Sequence, residues 1–253
     1  MSIYIKSEKE IKGIKAAGRI VAQTLDYIKD YLNPEISLSE IEKICADFII
    51  RQNATPAFKG YHGFPGAVCI SVNDEVVHGI PNGRKIKPGD LVKIDVGVYK
   101  DRFYADGAKT FPIRTINGNL KKLVEITEKA LYLGINQARA GNHLGDISST
   151  IQHFVESNGF SVVRELSGHG VGIELHEEPM IPNLGTPNMG ITLKTGMTLA
   201  IEPMVNMGTY EVVTQKNNWT VVTKDGLPSA HFEHTILITE NEPEILTKID
   251  KSV

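Results

Sequence analysis

The chain has 253 residues, 41% hydrophobic and 23% charged, a globular composition with enough apolar side chains for one large domain or two closely packed halves. Its formal net charge of -3, from 27 Lys and Arg against 30 Asp and Glu, argues against nucleic acid or an anionic membrane as the main partner. Two cysteines, Cys45 and Cys69, cannot build a disulfide framework, and both lie in apolar stretches where a reduced thiol behaves as a small hydrophobe.

The N-terminal run Met1 to Lys15 lacks the basic start, continuous apolar stretch and small-residue cleavage site of an export signal. No apolar run approaches the ~20 residues needed to cross a bilayer, so the cytoplasm is the expected location. Ser7 to Glu10 reads as a capping box, and Ile11, Ile14, Ile20, Val21, Leu25, Ile28 and Leu32 recur at helical spacing until Pro34. Ser37 to Glu40 repeats the signal for a second helix carrying Ile41, Ile44, Cys45, Phe48 and Ile49. Strand patterns follow at Ala67 to Val72, Asp90 to Tyr99 and Arg102 to Ile113.

The same order then returns. Helices are expected over Leu120 to Ala138 and Ile147 to Ser157, and strands near Phe160 to Arg164, Thr198 to Val205, Glu211 to Val222 and Ala230 to Thr239. This order implies a single domain over 1–253, built of two similar halves at about 7–116 and 117–246. The predicted class is α+β, with helix pairs covering one face of a mainly antiparallel sheet.

Carboxylates interrupt several of these strands. Asp95 lies in Leu91-Val-Lys-Ile-Asp95-Val and Asp106 in Phe103-Tyr-Ala-Asp106-Gly. With Lys100-Asp101 as a two-residue turn, the two aspartates face each other with Cβ atoms roughly 5 Å apart, and such like charges repel unless a cation lies between them. Glu202 breaks Thr198-Leu-Ala-Ile-Glu202-Pro, and Glu233 breaks His231-Phe-Glu233-His-Thr-Ile. A carboxylate that faces a core has to be neutralised by protonation, pairing or a metal. His169 stands between Gly168 and Gly170, which permit close approach of backbone or ligand. Taken singly, each acid reads more readily as a solvated strand residue or ion-pair partner, and His169 as a packed or turn histidine. Together they form an oxygen-rich set suited to Mn, Fe, Co or Zn, with room for two ions about 3.5–4 Å apart.

The motifs Cys69-Ile-Ser-Val-Asn73, Val77-His-Gly-Ile-Pro81, Lys93-Ile-Asp-Val96, Tyr104-Ala-Asp106, Ser167-Gly-His-Gly-Val-Gly172, His176-Glu-Glu-Pro179, Ala200-Ile-Glu-Pro203 and Phe232-Glu-His-Thr235 follow one another along the chain. In this order they resemble the methionine aminopeptidase family, in its short bacterial type I form, over roughly Ile11 to Leu246. The resemblance implies the "pita-bread" fold, with two pseudo-symmetric halves, and two divalent metal ions between them. Asp106 and Glu233 would bridge the ions, Asp95 would complete one coordination sphere, and His169 with Glu202 the other. Metal-activated hydroxide would attack the first peptide bond, with Glu202 moving the proton and His78 and His176 contacting the scissile peptide. Tyr61, His62, Phe64, Cys69, Leu175 and Trp219 would receive the methionine side chain. A monovalent cation would rest on backbone carbonyls near Asn73, Glu75 and Ser229.

The implied substrate is the amino end of a nascent polypeptide with a small second residue. The implied enzyme is a cytoplasmic monomer without a nucleic-acid or membrane partner; a ribosome contact fits the family, but the chain shows no basic arm for it. His143, His153, His231 and His234 read as structural. Two positions depart from the family pattern: Leu175 replaces a frequent aromatic, loosening the pocket, and Gly97 replaces a frequent threonine, removing a hydrogen bond beside the ligands. The rival readings are a proline-specific aminopeptidase or dipeptidase of the same fold and a binding protein that keeps the fold without catalysis.

Overall fold

The fold is taken from a computed structural model that describes residues 3–249. Ser7 and Ser37 each accept from the backbone N–H three residues on while Glu10 and Glu40 reach back to the cap, so both predicted capping boxes form and start α1 (Glu8–Ile28) and α2 (Leu38–Arg51). The next segments are β1 (Thr55–Pro56), β2 (Cys69–Val72), β3 (Glu75–Val77), β4 (Leu91–Lys100) and β5 (Phe103–Pro112). A second helix pair follows, α3 (Gly118–Gln137) and α4 (Leu144–Ser157). The rest is short strands: β6 (Ser161–Val162), β7 (Ser167–Gly170), β8 (Glu177–Pro182), β9 (Thr198–Ile201), β10 (Met204–Asn206), β11 (Val212–Thr214), β12 (Val221–Thr223), β13 (Ser229–His231), β14 (His234–Leu237) and β15 (Glu244–Ile245).

All pairings of these strands are antiparallel. β1 and β2 share one edge of β4, and β5 takes the other. A five-stranded sheet runs β15-β14-β9-β7-β8, and two three-stranded sheets run β13-β10-β6 and β11-β12-β3. Periodicity explains the layering: α1 and α2 bury Ile14, Val21, Ile41 and Ile49 against Ile70, Ile94 and Val96, while α3 and α4 bury Leu123, Leu131, Ile147 and Ile151 against Leu199, Ile201 and Ile236. Each such side chain contributes about 1.5–3 kcal/mol by leaving water. No described helix is long and apolar enough to cross a membrane.

The β4–β5 hairpin corrects the expected register. Asp101 and Arg102 both have positive φ, 49° and 77°, so they form the two-residue turn and Lys100 pairs with Phe103. Asp106 therefore lies opposite Gly97, and Asp95 opposite Ala108. The shift is by two positions, which preserves the face: the aspartates are diagonal neighbours on one side of the hairpin.

Three predicted long strands are broken in two; Glu211 to Val222 becomes the β11 and β12 arms of a hairpin. Thr198 to Val205 divides at Glu202-Pro203, where proline has no N–H for a ladder, and Ala230 to Thr239 divides at Phe232-Glu233. At Glu202-Pro203 and at Phe232-Glu233 the break is a change of sheet, between β9/β14 and β10/β13. The two glutamates sit at that change, where their side chains leave the core of either sheet. β8 has no counterpart in the sequence reading, because Glu177-Glu-Pro-Met-Ile-Pro182 lacks alternation and carries two prolines. α4 begins three residues before the expected Ile147 because its first turn is closed by Asp146, which accepts from the backbone N–H of His143.

Candidate active site

A main-chain seam brings the acids together. Glu233 N–H donates to the Ala108 carbonyl at 2.9 Å, and Ala108 N–H returns a longer bond to Glu233 at 3.4 Å. Next to it Asp106 N–H donates to Thr235 Oγ1 at 3.1 Å, and Thr110 Oγ1 donates to the His231 carbonyl at 2.7 Å. Asp106 on β5 and Glu233 beside β14 are thus held side by side, with Asp95 one diagonal step away. Gly168 is required by close approach: a Cβ there would lie 2.3 Å from the Ala200 carbonyl oxygen. That contact lets β7 pack on β9 with His169 opposite Ala200, two residues before Glu202.

These side chains line a cavity of about 390 Å³. Ligand-capable atoms of Asp106, His169 and Glu233 all lie within 4.8 Å of one another. His169 Nε2 is 3.4 Å from Asp106 Oδ2 and 3.7 Å from Glu202 Oε1. Its Nδ1 lies 2.9 Å from the Gly170 carbonyl, which fixes the proton on Nδ1 because a carbonyl can only accept. Burial lowers the imidazole to about 4, so it is neutral and its Nε2 presents a lone pair to two carboxylates. Three acceptors that face one another need a proton or a cation between them.

The carboxylates carry the same signature. Asp95 is raised well above the usual range by burial and then by Asp106; Glu202 by burial and then by Asp95 and Asp106. Glu233 is raised by burial and by Asp106, Glu202 and Asp95, and Asp106 rises to about 6, mainly through burial. Asp95 Oδ1 is buried without a hydrogen-bond partner among the described residues. An orphaned carboxylate oxygen, a neutral imidazole lone pair and mutual repulsion are what a divalent cation would relieve, so the residues fit a metal site.

Around the cluster, His176 Nδ1 lies 2.8 Å from Tyr61 Oη, with the two rings stacked at 5.1 Å, and the His176 ring lies 4.1 Å from that of His169. Desolvation and His169 lower His176 to about 4, although its edge faces solvent. His78 is half-buried, has φ 56°, and is lowered by burial. On the apolar wall, Phe64 meets Trp219 edge to face at 5.1 Å, and Cys69 pairs with Asp95 across β2 and β4. Burial and Asp95 keep the Cys69 thiol well above its ordinary pKa.

Of the residues expected here, Asp95, Asp106, His169, Glu202, Glu233, His78, His176, Tyr61, His62, Phe64, Cys69 and Trp219 all line the cavity. Leu175 does not; it is buried behind the wall with Phe58, Phe64 and Cys69. Phe58 and Met180 line the cavity without having been singled out. A Cβ on Gly97 would come within 2.4 Å of the Phe58 ring, so at this position the glycine makes room for an aromatic, an effect beyond the lost hydrogen bond expected from sequence. His231, read as structural, is buried, and its Nε2 lies 3.3 Å from Glu202 Oε2 without a hydrogen-bond partner among the described residues. No local motif marks Phe58 or His231; only the register between distant strands does.

The backbone carbonyls of Asn73 and Ser229, expected to hold a monovalent cation, both accept from Lys93 Nζ, at 2.6 Å and 3.2 Å. Lys93 is 1% exposed, and burial pulls its ammonium down to about 7 against the attraction of Glu75 and Asp74.

A sheet hairpin and two strand breaks converging on a buried acid cluster define a metal-dependent hydrolase centre, and the family comparison agrees: residues 12–240 match the model of metallopeptidase family M24. A methionine aminopeptidase of Bacillus subtilis is 51% identical over 247 residues, covering 98% of this chain and 100% of its own. The structure of the Thermotoga maritima methionine aminopeptidase superposes with a TM-score of 0.96 at 47% identity, covering 98% of this chain and all of that one. The chain belongs to the methionine aminopeptidase group of the M24 metallopeptidases. The fold alone extends further: the Pyrococcus furiosus prolidase has a TM-score of 0.80 at 24% identity, and this chain covers 66% of it.

Proposed function

We propose that this chain is a metal-dependent aminopeptidase that releases the initiator methionine from new polypeptides with a small second residue. The observation that carries the reading is the junction of the acid cluster with an apolar wall in one cavity. Asp95, Asp106, His169, Glu202 and Glu233 would hold two divalent ions, drawn from Co, Mn, Fe or Zn. When bound, such ions lower the pKa of water and polarise the peptide carbonyl.

The chain's own residues supply the rest. Phe58, Tyr61, Phe64, Cys69 and Trp219 take the thioether side chain, for which a soft, partly aromatic surface is suitable, and His62 stands at the rim. His176 Nδ1 lies 2.8 Å from Tyr61 Oη; with the phenol as donor, His176 keeps its proton on Nε2 and serves as a neutral donor for charge growing on the carbonyl oxygen. His78 approaches the same peptide from β3's far end. Glu202, raised by burial and by Asp95 and Asp106, accepts the proton of the attacking water and passes it to the departing amine. His231 Nε2 faces Glu202 from behind, 3.3 Å from its Oε2.

We read the chain as one catalytic domain of two related halves, about 7–116 and 117–246, working as a cytoplasmic monomer on nascent chains, with the ribosome as a docking partner. The deciding experiment titrates metal-free protein with Mn, Fe, Co and Zn and follows hydrolysis of Met-Ala and Ala-Pro peptides. Metal-dependent release of Met from Met-Ala is expected. Activity without metal, or preference for the bond before proline, would overturn the assignment.

A further inference from the structure

Lys93 is the largest side chain in the fully buried interior, and it lies two residues before Asp95 on β4. Its ammonium ends between two carbonyls from remote parts of the chain, Asn73 after β2 and Ser229 on β13. Both carbonyls are fixed independently of the lysine. Asn73 is bonded at every polar group: its N–H donates to Leu91, its Oδ1 accepts from Leu91 N–H, its Nδ2 donates to Asp90, and its carbonyl also accepts from Ser229 N–H at 3.0 Å. Ser229 is fully buried, with Oγ donating to the Val205 carbonyl.

A cradle of preset carbonyls is how proteins bind monovalent cations, and an ammonium group is close to a potassium ion in size. Asp74, Glu75 and Asp90 add negative charge nearby, which Arg84 partly offsets. The cradle also lies on the frame of the active site. Ser229 begins the segment that carries His231 and Glu233, Asn73 ends the strand in which Cys69 pairs with Asp95, and Lys93 pairs across β5 with Thr110, whose hydroxyl holds the His231 carbonyl.

We propose that Lys93 is a positioning residue that serves as a tethered monovalent cation, locking the Ser229–Glu233 segment to the Asp95 strand, so that the protein needs no free monovalent ion. The reading follows from these contacts and does not depend on which peptide is cleaved.

The test compares wild type, Lys93→Ala and Lys93→Met in K+, NH4+ and tetramethylammonium chloride at equal ionic strength. It reads kcat/KM of the metal-loaded protein and the melting temperature of the metal-free protein. The wild type is expected to vary less than about twofold among the salts. Lys93→Ala opens a cavity beneath the same carbonyls and is expected to gain at least about tenfold in kcat/KM from K+ or NH4+ over tetramethylammonium, the scale of one charge-assisted hydrogen-bonding partner. Its melting temperature is expected to rise with K+ concentration, as ligand linkage requires. Lys93→Met fills the volume without charge and is expected to respond to no cation. A wild type that requires K+ would overturn the proposal, as would a Lys93→Ala protein that behaves alike in every salt, unfolded or folded. Should no peptide be cleaved at all, the melting temperatures still decide it.

Discussion

On the floor of the cavity four carboxylates and His169 face one another with Asp95 Oδ1 unmet, whereas on its wall Phe58, Phe64 and Cys69 pack as any core does, with Leu175 behind them. The floor stores unfavourable electrostatics that protons or a cation relieve; the wall is already satisfied. Chemistry is therefore expected to fail when the floor is touched, and selectivity to drift when the wall is.

The largest effect is expected from Asp106→Asn. Turnover should fall by roughly three or more orders of magnitude, the scale of losing a principal catalytic group. The metal-free protein should become more stable, since Asp106 at about 6 rather than 3.8 ionises at a cost to the fold. For an acid with a raised folded pKa, stability is lost as pH rises from about 4 to about 6 and stays lost above, so near neutrality the gain in the variant should be about 1–3 kcal/mol. Equal melting temperatures for the two metal-free proteins would remove the repulsion argument.

Metal affinity should itself depend on pH. Asp95, Glu202 and Glu233 are raised well above the ordinary range, so a divalent ion has to displace protons on binding. Calorimetric titration with Mn2+ should show affinity falling by about tenfold per pH unit for each proton displaced, steepening below about 6 as Asp106 also protonates. A flat profile would show that the acids are ionised before the metal arrives.

A smaller loss is expected at His231. Replacing it by alanine removes the group behind Glu202 and should lower kcat about 10–100-fold with little change in KM, the range typical of residues that orient metal-site ligands. An equal rise in KM would place its role in substrate binding. The smallest effect belongs to the wall. Gly97→Ala should push the Phe58 ring and destabilise the fold by about 1–3 kcal/mol, with a several-fold rise in KM for methionyl peptides and kcat nearly kept. Loss of kcat in parallel would mean that wall and floor are one unit.

The same division governed what the sequence could reveal. Helix starts at Ser7 and Ser37 are local chemistry, legible in four residues, and both were found. The acids were legible because carboxylates interrupt apolar strands, a local conflict. The hairpin register was not, because Arg102 takes a left-handed turn conformation that arginine does not advertise, and the pairing slid by two. The face survived because strands alternate, so the right cluster emerged from the wrong partners. Phe58, His231 and the Lys93 cradle escaped for a different reason: each depends on a neighbour 29 to 136 residues away in sequence, Gly97 for the first, Glu202 for the second and Ser229 for Lys93. Leu175 was read as contacting substrate, yet it backs the wall, since a buried leucine beside a rim histidine looks the same in either role.

The backbone seam between Ala108 and Glu233 sets the gauge of the acid cluster in peptide units rather than in side-chain rotamers. Drift elsewhere in the chain can leave that gauge untouched, so a choice among divalent ions would fall to charge, ligand softness and supply.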